Sequence, residues 1–223
     1  MRSVEPGSRR AELHRNGQAL RDLLHRLVRT GAPAEVLSDL AGALEALAAT
    51  LREHPLDGEY YGFAEASISG GEFGFFDRGP MLGRINALAP PLEMRQDDDR
   101  MLGRAWFGPA YEGPPGCVHG GYIAAAFDEL LGCTQTMSGA PGMTANLSID
   151  YRSPTPLETE LQFEGVITAV EGRKIFTSGT LSAGDRLCAE AQGLFITFDA
   201  SRFVELKEQR SAQVARAELD GSD

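Results

Sequence analysis

A chain of 223 residues suits one domain with an appendage, or two small ones. Its net charge of -11 argues against a nucleic-acid partner, whose phosphates need a basic surface, while leaving room for a small local basic site. Cys117, Cys133 and Cys188 are odd in number, lack framework spacing and read as reduced thiols.

Residues 1 to 57 read as a helical hairpin. Leu13, Leu20, Leu24 and Leu27 form one apolar stripe, and Leu37, Leu40, Leu44, Leu47 and Leu51 form a second, at steps of three and four. Thr30-Gly31-Ala32-Pro33 separates them, with Gly as a stop and Pro in the first turn of the next helix. The first 30 residues carry seven Arg against three acids, and residues 34 to 54 carry four acids against one Arg, so the helices are partly complementary in charge. The N-terminus is Arg-rich and amphipathic like a mitochondrial presequence, but Glu5, Glu12 and Asp22 count against one. No apolar run approaches a membrane span. The expected location is the cytoplasm.

Residues 58 to 80 form a Gly- and aromatic-rich connector without clear period. From residue 81 the pattern turns to strands, expected over Leu82 to Leu88 and Leu92 to Phe107 around Pro90-Pro91. Asp97-Asp98-Asp99 reads as a solvated turn rather than a metal site, since no His or Cys lies near it. A helix follows from about Gly120 to Met137. It is apolar nearly all round, so it must be enclosed, and its acid Asp128 should be shielded from wide exposure. Thr144 to Tyr151 alternates polar and apolar, as a half-buried strand does. Three more strands, near 159 to 170, 174 to 182 and 186 to 198, are joined by short Gly turns at Gly172 and Gly184. Residues 201 to 223 form a tail that starts as a helix around Phe203 and Leu206. The result is an α+β fold in which one curved antiparallel sheet, over 81 to 200, wraps a central helix. Phe107, Trp106, Phe127 and Tyr122 either line a ligand tunnel or belong to the core, and the core is the expectation.

His119-Gly120-Gly121, Asp128 nine residues after the His, and Thr144-Ala145-Asn146-Leu147 entering the next strand resemble the hotdog-fold thioesterase superfamily, in its 4-hydroxybenzoyl-CoA and phenylacetate-pathway-like branch. Tyr151-Arg152-Ser153-Pro154 is similar to that family's strand ending. The resemblance spans roughly residues 80 to 200. It implies hydrolysis of acyl-CoA or a related thioester without metal or organic cofactor, by a homodimer or dimer of dimers with sites at the interface.

The residue types fit that chemistry. Amides at a helix N-terminus are free to stabilise a thioester oxyanion, and Gly lets the backbone approach it. Gly121 is the candidate donor, with Gly120 shaping the loop. Asp128 is the candidate base or nucleophile, with Glu129 as the rival acid. Thr144 is placed to orient Asp128 or the water, and His119 to orient the loop or bind the carbonyl. Arg152, Arg173 and Lys174 are the candidate cations for CoA phosphates. Gly121 and Asp128 lie seven residues apart, about 10 Å along a helix. Serving one carbonyl together is easier from two subunits than from one. Serine-hydrolase, P-loop and dinucleotide signatures are absent, and Cys117-x-His119 has too few ligands for zinc. Two alternatives stay open: a non-catalytic acyl-CoA-binding protein, and a hotdog acyl-CoA hydratase or dehydratase.

Overall fold

The computed structural model describes residues 7–54, 77–140 and 142–197. Most of the connector at 58 to 80 and the tail at 201 to 223 lie outside them. The elements are α1 (Arg9–Leu27), α2 (Ala34–Arg52), β1 (Glu93–Asp97), β2 (Arg100–Trp106), a 3-10 turn (Pro109–Tyr111), α3 (Gly120–Thr136), β3 (Gly142–Tyr151), β4 (Glu160–Glu171), β5 (Lys174–Ala183) and β6 (Arg186–Thr197).

The six strands form one antiparallel sheet in the order β1-β2-β4-β5-β6-β3, with β1 and β3 at its edges. Gly172 and Gly184 take the left-handed conformation that the two-residue turns between β4, β5 and β6 require. α3 crosses the sheet and supplies the centre of the core: Ile123, Ala126, Phe127, Leu130 and Leu131 pack with Phe163, Ile175, Leu181 and Phe195. The helix sits low because Gly165 and Gly179, paired across β4 and β5, leave space for it. A Cβ on Gly179 would lie 3.0 Å from Leu130 Cδ2. This is the expected hotdog arrangement, a curved sheet around one helix.

The two strands before α3 are not where the apolar pattern put them. Residues 82 to 88 form a loop, and Leu92 to Phe107 holds both β1 and β2, folded about Asp98 at φ 52° with Asp97 paired to Arg100. The carbonyls of the 82-to-88 loop bond to a side chain instead of a strand. Arg21 of α1, buried at 5% exposure, donates to Asn86 O at 2.9 Å and to Arg84 O at 3.0 Å. In the acid run, Asp97 ends β1 and Asp98 and Asp99 form the exposed turn.

Both N-terminal helices are present, and they differ in their setting. α1 is bound to the domain through Arg21, an Arg10 and His14 pair on Asp77, and Arg29 on both carboxylate oxygens of Glu158. Its basic residues thus meet acids of the domain. α2 buries none of its residues, and Leu47 and Leu51 are 63% and 73% exposed. No helix among the described residues is long and apolar enough to cross a membrane.

Candidate active site

α3 starts at Gly120 because His119, with extended backbone, acts as its N-cap. Its imidazole does what a Ser or Asp oxygen does elsewhere: Nδ1 accepts the Gly121 N–H at 3.0 Å. Nδ1 is therefore unprotonated, and the neutral ring carries its proton on Nε2. The oxyanion donor expected from sequence is thus capped by the neighbouring His in the chain alone. The loop before it is pinned on both sides. His119 N–H donates to Tyr111 O at 2.9 Å, Val118 N–H to Thr155 O at 2.9 Å, and Gly116 N–H to Glu112 Oε1 at 2.7 Å.

Two turns further along α3, Asp128 accepts the Thr144 hydroxyl on Oδ1 at 2.8 Å. Strict alternation would put Thr144 beside Asn146 and Ser148, away from Leu147 and Ile149, which pack on the core. A β-bulge decides otherwise. Thr144 pairs with Phe195 and Asn146 with Leu194, leaving Ala145 unpaired and turning Thr144 toward the helix.

Seven residues are nearly two full turns, so Gly121 and Asp128 share one face of α3. Both are exposed, which corrects the expectation that Asp128 is shielded. The sheet covers only the opposite side of the helix. Beside this face runs edge strand β3, whose Met143 and Tyr151 are 56% and 54% exposed. Glu129, half-buried beside Asp128, is held protonated up to about 7, mainly by burial and secondly by the charge of Asp128. Cys133, one turn on, is pushed up to about 12 by burial and by Glu129.

Of the predicted phosphate-binding cations, Arg152 lies just past the end of β3, whereas Arg173 and Lys174 sit together at the opposite end of β6. Arg152 donates to Glu190 at 2.7 Å and to Asp150 at 3.2 Å, and the guanidinium of Arg173 donates twice to Thr197 O. Lys174 opens β5 in the open. Among the described residues no group of three His, Cys, Asp or Glu is placed to hold a metal.

Three tyrosines around the His119 loop were not singled out as site residues. Tyr151 donates its hydroxyl to Gly120 O at 2.9 Å. Tyr122, 37% exposed, stands edge-on to His119 and to Tyr111. Buried Tyr111 donates to Leu88 O at 3.1 Å, and burial raises its hydroxyl to about 12. Trp106 likewise lies at the surface, whereas Phe107 and Phe127 are fully buried as expected.

Residues 115–190 match the family model described as the thioesterase superfamily. The crystal structure of protein RHA08564, a thioesterase superfamily protein, superposes with a TM-score of 0.75 at 34% identity, over 87% of this chain and 93% of that one. The chain belongs to the thioesterase superfamily. Among curated members, acyl-coenzyme A thioesterase THEM4 of Xenopus laevis is 42% identical over 91 residues, 40% of this chain and 41% of the relative. THEM4 of Bos taurus is 40% identical over 98 residues, 43% of this chain and 40% of the relative. The chain spans well under half the length of these curated superfamily members.

Proposed function

We propose that this protein hydrolyses an acyl-CoA thioester to the free acid and CoA. The observation that carries the proposal is the Thr144–Asp128 hydrogen bond, on the same open face of α3 as the His119-Gly120-Gly121 helix start. The names of the curated relatives support the substrate class.

In this reading the thioester oxygen takes the place of His119 Nδ1 at the Gly121 N–H, while His119 orients the loop that presents this amide. That amide then stabilises the charge that develops on oxygen, an effect worth roughly 3 kcal/mol of barrier for one preorganised donor. Thr144 holds Asp128 in position. Asp128 either takes a proton from water, whose hydroxide adds to the carbonyl carbon, or adds itself to give an anhydride that water then opens. In both routes the C–S bond breaks and CoA leaves as a thiolate that is then protonated. One turnover in heavy-oxygen water separates the routes, because only the second places solvent oxygen in the carboxyl of Asp128.

About 10 Å along the helix axis separates Gly121 from Asp128, whereas both must reach within about 3.5 Å of one carbonyl. The reading therefore pairs Gly121 of one subunit with Asp128 of another across the open α3 face, in a homodimer or a dimer of dimers. Three free cysteines suit a reducing compartment such as the cytoplasm. The test is thiol release from short, long and aromatic acyl-CoAs, followed by mixing His119→Ala chains with Asp128→Asn chains. Shared sites recover activity in mixed dimers. A folded protein that releases no thiol from any of them overturns the function, and confirmed mixed dimers without recovery overturn the shared site.

A further inference from the structure

The family model matches from residue 115 onward, so α1 lies outside that segment. Yet the last turn of α1 reaches toward the His119 loop through one side chain. His25 Nδ1 accepts the N–H of Ala110 at 3.2 Å, inside the 3-10 turn. Its ring stands edge-on to Trp106 at 5.9 Å and meets Tyr111 at 5.6 Å. The fit depends on Gly108, where a Cβ would lie 2.6 Å from His25 Cε1.

Tyr111 is the other side of this contact. Its ring packs on Tyr122 at 4.9 Å, its carbonyl accepts the His119 N–H at 2.9 Å, and Tyr122 in turn faces the His119 ring at 6.3 Å. The turn carrying Tyr111 has α1 behind it and the His119 loop in front.

We infer that His25 is a positioning residue for His119: by holding the 109–111 turn it fixes the backbone and ring from which His119 serves the helix start. The inference rests on the hydrolase reading for its kinetic test. His25 is suited to the task because burial, the largest influence on it, lowers its pKa below the ordinary histidine value. The ring is then neutral near pH 7, with Nδ1 unprotonated and able to accept. The ion pair of Arg29 with Glu158 and the Glu158 N–H bond to Phe107 O close the same corner.

The test compares three variants. His25→Asn keeps an acceptor near the Nδ1 position, His25→Phe keeps a ring without it, and His25→Ala keeps neither. Displacement of a reacting geometry by about 1 Å costs up to 100-fold. Accordingly Ala and Phe should lower kcat roughly ten- to a hundredfold with KM within about threefold, and Asn should restore kcat to within about threefold of wild type. The protein has four histidines, so the His119 ring signals can be assigned by NMR with a His119→Gln control. They should move in Ala and Phe and return in Asn. Unchanged kcat together with unmoved His119 signals overturns the inference. So does equal loss in all three variants in step with falling Tm, which marks a packing role. A wild type without thioesterase activity sinks the hydrolase reading alone, and the NMR comparison still decides the positioning role.

Discussion

Thr144 reaches Asp128 Oδ1 at 2.8 Å because Ala145 is bulged out of the β3–β6 ladder. The hydroxyl and the carboxylate belong to different elements, so their distance depends on the fold and on one local irregularity. Both are exposed, and neither contributes to the apolar core. Asp128→Asn should therefore leave Tm within a few degrees of wild type and reduce kcat by about 10²- to 10⁴-fold, the usual range for loss of an acid–base group. Thr144→Val should cost less, about tenfold, because it orients the carboxylate without removing it. Thiol-release kinetics alongside thermal melts check both.

Deleting Ala145 tests the bulge itself. Without Ala145, Thr144 directly precedes Asn146, keeps its place opposite Phe195 and still faces α3, so kcat should stay well above that of Thr144→Val. A folded deletion variant with kcat as low as that of Thr144→Val would show that facing α3 is not enough and that the bulged backbone itself places the hydroxyl.

Glu129 sets a pH dependence of stability. In the unfolded chain it ionises near the ordinary 4.5, and in the folded chain only near 7. Between these values the native state binds more protons than the unfolded state, so stability falls as pH rises through the window. The full effect is on the order of 3 kcal/mol. Glu129→Gln should flatten this loss and be more stable than wild type at pH 8. Urea midpoints at pH 5 and pH 8 give the comparison.

Arg21 ties α1 to the 82-to-88 loop. Arg21→Met should lower stability by about 2 to 4 kcal/mol, since it leaves buried carbonyls without a charged donor. Arg15→Met, on the exposed side of the same helix, should change it by less than about 0.5 kcal/mol. Denaturant unfolding measures the difference, and amide exchange in α1 should accelerate in the first variant alone.

Much of this was legible in the chain. Periodicity located α1, α2 and α3, and alternation with Gly turns located β3 to β6, within one or two residues at most ends. Residues 82 to 88 misled because a short apolar run cannot declare its hydrogen-bond partners. Here Arg21, more than 60 residues earlier, takes the carbonyls a neighbouring strand would have used. Alternation through 144 to 151 was similarly silent about the bulge, since an unpaired Ala leaves no mark in an apolar–polar pattern.

The sequence by itself determined the residue types of the site and their spacing along α3, because helical geometry converts seven residues into two turns on one face. Only the tertiary structure decided what those residues meet. It capped Gly121 with His119, turned Thr144 onto Asp128, occupied Arg152 and Arg173 with partners in the chain, and set α1 behind the His119 loop through His25. Spacing within one element follows from local backbone geometry. Contacts between elements follow from how the sheet curves, where it bulges, and which buried polar groups still need a partner.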